Sequence, residues 1–235
     1  REIVGGLIEV IDMIEAGDFQ GLIIGNEGKN FSVGANLGEI ASLARQGRFD
    51  AVAQIVRDFQ HMTMRVRYAA RPVVVATHSR ALGGGCELAL AADIRVAGER
   101  TVMGQPEVLL GIIPGAGGTQ RLSRLGGPSK AKDIIFTGRF VKADEALAIG
   151  LVDKVVPDES VLEEATAWAR QFAGAATYAV RAAKESIDRG LEVDLDTGLE
   201  IERMQFASLF ATEDRTIGMS SFVENGPGKA QFTGS

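Results

Sequence analysis

The stretch GGGCELALAAD, Gly83 to Asp93, joins three consecutive glycines to an apolar segment carrying one carboxylate, Glu87. The strongly β-branched run VVVAT (73–77) lies ahead of it and IRVAG (94–98) follows. β-branched residues favour buried strands, and the segment between them reads as a short helix from about Gly84 to Ala92. Strand, glycine turn, helix and strand within about 25 residues is an α/β arrangement. Glycine weakens a helix and a lone Glu is costly to bury, so both need a reason. Three glycines at a strand-to-helix junction let backbone N–H groups approach a ligand without Cβ interference, and a helix start adds a positive field. A tight turn explains them equally well when they are taken alone.

Outward from this stretch the same alternation continues. Residues 2–16 carry Ile3, Val4, Leu7, Ile8, Ile11 and Ile14 at helical spacing, closed by Gly17. GLIIG (21–25) reads as a short strand, residues from Leu37 as a helix, and 48–69 as a long amphipathic helix stopped by Pro72. TVMG (101–104), residues 138–141 and LVDKVV (151–156) read as strands, and 118–126, 128–137 and 142–150 as helices. Beyond Ser160 the pattern is helical over 158–173, 175–190, 194–212 and 213–223, and ENGPGKAQFTGS reads as an exposed tail. An α/β core followed by a helical C-terminal part is the expected organisation.

Composition narrows the function. A hydrophobic content of 46% and a charged content of 24% are those of an ordinary globular protein. The net charge of −6 argues against nucleic acid as a partner, since phosphate contacts need a basic surface. Arg65, Arg67, Arg71 and Arg80 form a local exception, read either as a solvated face or as a site for a small anion. One cysteine, Cys86, rules out an internal disulfide and a Cys-based metal cage, and two histidines, His61 and His78, argue against a metal site. No apolar run approaches the about 20 residues of a membrane span, so no membrane partner is expected and a reducing compartment, most simply the cytoplasm, is.

The chemistry-bearing residues are two glutamates in apolar settings. Glu87 is flanked by Cys86, Leu88, Ala89 and Leu90; Glu107 lies in GQPEVLLG, where Pro106 restricts the approaching chain. Desolvation raises a carboxyl pKa toward the range useful for general acid–base work. FSVGAN (31–36) offers another small-residue loop before a helix, and N–H groups from two loops make an oxyanion hole. GAGG (115–118) does not have the spacing of a dinucleotide loop.

With these residues in hand the sequence closely resembles the crotonase superfamily, specifically the enoyl-CoA hydratases. The matching segments are NFSVGAN (30–36), ALGGGCELALAADIRVA (81–97), MGQPEVLLGIIPGAGGTQRLSRLGG (103–127), FTGRFVKADEALAIGLVDKVV (136–156) and GPGKAQFTG (226–234). The resemblance implies a crotonase-like spiral of β-β-α units over 1–157, with its first N-terminal strands lying ahead of Arg1, and a C-terminal helical trimerisation region over 158–235. It implies a homotrimer, or a hexamer made of two trimers, acting on acyl-CoA thioesters with no separate cofactor and no metal. It implies that the N–H groups of Ala35 and Gly84 bind the thioester oxygen. Glu87 and Glu107 become the acid–base pair that adds water to trans-2-enoyl-CoA in fatty-acid β-oxidation. Ala35, Asn36, Leu37, Leu82, Gly84, Pro106 and Gly115 become substrate-binding positions. Asn36 stands where many members of the family have Asp. Retention of both glutamates favours hydration over Δ3-Δ2 isomerisation; the alternatives are that isomerase, a branched-chain or aromatic-pathway hydratase, or a non-catalytic acyl-CoA-binding subunit. The compartment implied is the bacterial cytoplasm, or the mitochondrial matrix in a eukaryote.

Overall fold

In the computed structural model, which describes residues 2–17 and 19–235, the chain begins with α1 (Glu2–Ala16), β1 (Leu22–Ile24), α2 (Leu37–Arg45) and α3 (Phe49–Arg67). It continues through β2 (Val73–Thr77), β3 (Arg80–Leu82), α4 (Gly84–Ala89), β4 (Ile94–Gly98) and β5 (Val102–Gly104). A 3₁₀ segment, Pro106–Leu110, leads to α5 (Gly118–Gly126), α6 (Pro128–Thr137), β6 (Phe140–Lys142), α7 (Ala143–Ala148) and β7 (Lys154–Val156). Four helices close the chain: α8 (Val161–Phe172), α9 (Thr177–Gly190), α10 (Leu195–Ser208) and α11 (Glu213–Asn225).

Two sheets result. β1, β2, β4 and β7 pair in that order, all parallel, while β3, β5 and β6 form a second sheet with β5 and β6 antiparallel. From β2 to β5 the strands alternate between the two sheets, which winds the chain forward as a spiral. β2 is the central strand and all five of its residues are buried. Side chains alternate across a strand, and here the alternation separates two cores. Val73 and Val75 join the main cluster with Met62, Val66, Leu90 and Ile134, whereas Val74 and Ala76 face Val96, Val161, Ala165 and Trp168. α8 therefore covers the outer face of the parallel sheet and belongs to the packing of the spiral. The strand β3 has no β-branched residue to mark it; pairing with β5 and a bridge between Ser32 and Ala81 make it extended.

Asp93 closes the opening stretch by accepting the Val73 N–H at 2.7 Å and pairing with Lys184 of α9. Two expectations need correction. Arg65 and Arg67 are held in intramolecular ion pairs, Arg65 with Asp12 and Glu15 (2.5 and 3.0 Å) and Arg67 with Asp188 (3.2 Å), so they do not form one open anion-binding patch. The strand expected over 151–156 begins only at Lys154, because Leu151 and Val152 are buried in the main cluster instead of pairing along β4. The tail is exposed over most of its length, as expected, and is anchored at its end: buried Asp214 accepts from the N–H groups of Thr233 (2.8 Å) and Gly234 (3.1 Å), and its own N–H donates to the Ser235 carbonyl (3.0 Å). Among the described residues no helix is long and apolar enough to cross a membrane.

Candidate active site

Each glycine of the opening stretch has its own constraint. Gly83 adopts φ +54°, which turns the chain from β3 into α4. At Gly85 a Cβ would lie 2.5 Å from both the Cβ and the carbonyl oxygen of Ser32, so backbone and side chain meet there with no room for a methyl group. This close approach carries the FSVGAN loop. Ser32 and Leu82 are hydrogen-bonded at 2.9 Å, and Gly34, at φ +95°, reaches the start of α4, where its Cβ would sit 3.3 Å from the Gly84 nitrogen. Two loops that are about 50 residues apart in sequence therefore face each other through small residues and backbone.

They open into a cavity of about 160 Å³. Gly34, Ala35, Gly83 and Gly84 form one side, and Glu87 and Glu107 both reach it, as do Pro106 and Gly115. The remaining wall is apolar: Leu37, Ile40, Ile55, Val56 and Phe59 from α2 and α3, with Leu110, Ile112 and Ile113 after the 3₁₀ segment. The structure thus brings together Ala35, Leu37, Gly84, Glu87, Pro106, Glu107 and Gly115. Two of the proposed substrate-binding positions stand apart from this wall. Asn36 caps α2, its Oδ1 accepting the Glu39 N–H at 3.2 Å, and Leu82 is buried in the ladder beneath.

Glu87 is only 3% exposed. Its Oε1 accepts two backbone N–H groups, from Ala116 at 2.7 Å and Gly118 at 2.8 Å. Burial raises its pKa above the usual carboxylate range; the Gly118 and Ala116 N–H groups and the nearby Arg121 charge oppose that rise. Glu107 is half-buried, and desolvation, reinforced by the charge of Glu87, lifts it to about 7. Two carboxyl groups with raised pKa values thus share one cavity, Glu87 bound by two N–H donors and Glu107 lifted to near neutrality. Cys86, whose thiol burial pushes up to about 12, is inert beside them.

The residues that hold these two acids were not apparent from sequence. Gly115–Gly118 supplies the donors to Glu87: Gly117 stands at φ +108° with no side-chain cap for α5, so the first N–H groups of that helix need another acceptor. That missing cap is the one signal in the sequence, a helix start marked by glycines instead of Ser, Thr or Asp. Gln105, fully buried, faces Glu107; with its amide nitrogen turned to the acid, Nε2 donates to Oε1 at 3.0 Å and Oε2 at 3.2 Å. In the opposite amide orientation the Gln105 oxygen accepts a hydrogen bond from the O–H of a neutral Glu107, so this carboxyl finds a partner in either state. Among the described residues no cluster of His, Cys, Asp or Glu is arranged to hold a metal ion.

A two-sheet spiral with glycine backbone and two glutamates at one apolar cavity defines a protein of the crotonase fold. The solved enoyl-CoA hydratase of Bacillus anthracis superposes with a TM-score of 0.91 at 37% identity, over 99% of this chain and 89% of that one. A family model described as enoyl-CoA hydratase/isomerase matches residues 1–235, and the chain belongs to that family. Among its relatives, a protein of Rhizobium meliloti named "Probable enoyl-CoA hydratase" is 43% identical over 211 residues, 90% of this chain and 79% of that protein. A protein of Clostridium acetobutylicum named "Short-chain-enoyl-CoA hydratase" is 41% identical over 204 residues, 86% of this chain and 76% of that one.

Proposed function

We propose that this protein is an enoyl-CoA hydratase acting on short trans-2-enoyl thioesters, with Glu87 as base and Glu107 as acid. The observation that carries the reading is the pair of glutamates, both with raised pKa values, at a cavity that the backbone of Gly34, Ala35, Gly83 and Gly84 also lines. The N–H groups of Ala35 and Gly84 receive the thioester oxygen. Water attacks C3 and gives its proton to Glu87; the C2–C3 π electrons move to form an enolate, whose charge the two N–H dipoles stabilise. The Glu107 proton then goes to C2, giving the 3-hydroxyacyl thioester, and the pair resets by proton exchange. No group beyond the CoA-linked substrate is needed for this sequence of steps.

Cavity size supports a short acyl group, because an apolar space of about 150 Å³ accommodates a six-carbon ring. The name of the Clostridium relative is in keeping with this. Residues 37–60 set the depth through Leu37, Ile40, Ile55, Val56 and Phe59. Assembly into trimers is supported by the exposed apolar side chains of α10 and α11, including Leu195, Met204, Phe206, Phe222 and Val223. The bacterial relatives and the lone, buried Cys86 favour a reducing compartment such as the cytoplasm.

Hydration of crotonyl-CoA, followed by loss of the enoyl thioester absorbance, tests the reading. Wild-type turnover with Glu87→Gln and Glu107→Gln each slowed by about 10²–10⁴ is expected. Full activity in either variant, or binding of the ester without hydration by the wild type, overturns it. Conversion of a 3-enoyl ester without hydration would identify an isomerase instead, and a monomeric sedimentation profile would refute the trimer.

A further inference from the structure

Behind the loop that holds Glu87 lies a buried cation. Arg121, in the first turns of α5, is 8% exposed and makes no ion pair among the described residues. Its side chain turns back on its own helix start, Nη1 donating to the Ala116 carbonyl at 2.8 Å and Nη2 reaching the Met64 sulfur at 3.4 Å. The same carbonyl accepts Thr63 Oγ1, from α3, at 3.0 Å. Ala116 is thus held from both ends: its oxygen by Arg121 and Thr63, its N–H by Glu87. Gly117 leaves the space this needs, for a Cβ there would lie 2.2 Å from Nη1.

Burying a guanidinium without a carboxylate at contact distance is costly, and Thr63 alone would tether the carbonyl. The arrangement is accounted for if the charge itself is used. The carboxylate that acts most strongly on Arg121 across this loop is Glu87, while Arg67 opposes it. We infer that Arg121 is a positioning residue for Glu87: it clamps the Ala116 carbonyl, fixes the two N–H groups that hold the carboxylate, and presents a positive charge behind it. The inference rests on the proposed role of Glu87. The charged and titratable groups facing Glu87 are Glu107 from the 3₁₀ segment and Arg121 from α5, with the neutral thiol of Cys86 beside it on α4. Removing Arg121 therefore leaves Glu87 harder to ionise.

A second cavity, of about 630 Å³, gives access to this residue from the side away from the acyl pocket. Arg121, Met64, Tyr68, Leu90 and Leu191 line it, and Ala116 is the wall common to both cavities. Four variants test the inference with crotonyl-CoA. Arg121→Met is expected to lower kcat ten- to hundredfold with KM within about threefold, and to move the lower-pH step of the pH–rate profile upward. Arg121→Lys is expected to keep that step near its wild-type position, and methylguanidinium is expected to restore rate to Arg121→Ala by entering the second cavity. Glu87→Gln is the control: if it is slow while Arg121→Met has wild-type kcat and pH profile, the inference fails although the role of Glu87 stands. If Glu87→Gln is fully active, that role itself fails. Loss of kcat in Arg121→Met with an unmoved pH step and no rescue of Arg121→Ala would mark the arginine as merely structural and overturn the inference.

Discussion

Replacing Glu107 by Gln is expected to slow the enzyme and stabilise the fold at the same time. The carboxyl is held at about 7 against an ordinary value of 4.5, chiefly by burial. Because the folded pKa lies above the unfolded one, the folded state retains a proton that the unfolded chain has lost across that interval. The stability tied to this carboxyl is full below about 4.5 and is lost as pH rises through about 7. A difference of that size corresponds to about 3 kcal/mol at 1.36 kcal/mol per pH unit. The side chain is only partly buried, and screening reduces the expected effect to about 1–2 kcal/mol. Gln carries no titratable proton, so the difference between wild type and Glu107→Gln isolates this one group. Urea unfolding at matched protein concentration is the assay, at about pH 4.5 and about pH 8.5. The two proteins should differ by only a few tenths of a kcal/mol at the lower pH, and the variant should be the more stable by about 1–2 kcal/mol at the higher. Hydration of crotonyl-CoA by the same variant should fall by about 10²–10⁴. A stability difference that does not change with pH, or one favouring wild type at pH 8.5, would refute the assignment of Glu107 as a desolvated acid.

Three further outcomes follow from the same geometry. Gly34→Ala places a methyl group 3.3 Å from the Gly84 nitrogen at φ +95°, and kcat/KM for crotonyl-CoA should drop by about 10²–10³; unchanged turnover would remove this loop from the oxyanion hole. Gly85→Ala meets Ser32 at 2.5 Å and should cost about 1–3 kcal/mol of stability, read as a lowered Tm, with wild-type thermal stability contradicting the close packing. Phe59→Ala enlarges the acyl end of the cavity, so the ratio of eight-carbon to four-carbon hydration should rise, and an unchanged ratio would show that α3 does not limit chain length.

The parts of this fold that read directly from sequence are those where one residue type has one physical outlet. VVVAT has no face to give to solvent, and it is the buried centre of the parallel sheet. The two glutamates in apolar company stand out because a carboxylate resists burial, and they meet at one cavity. β3 escaped notice because pairing partners, not its own residues, make it extended. The role of Gly115–Gly118 in holding Glu87 was not legible: its N–H groups matter because Glu87, 29 to 31 positions earlier, arrives beneath them, and no local pattern records that meeting. The arginines of α3 were seen as neighbours in sequence, while their counter-charges come from α1 and α9, at a distance no spacing rule reaches.

The anchoring of the tail has a practical side. Asp214 is buried at the start of α11, and its carboxylate is satisfied by main-chain donors of Thr233 and Gly234. Deleting residues 233–235 would strip those donors and leave a charged group stranded in the packing, which costs far more than an ordinary exposed end. An affinity tag or fluorescent fusion joined directly after Ser235 would pull on the same short clasp. A flexible spacer between Ser235 and anything fused after it would leave that clasp undisturbed.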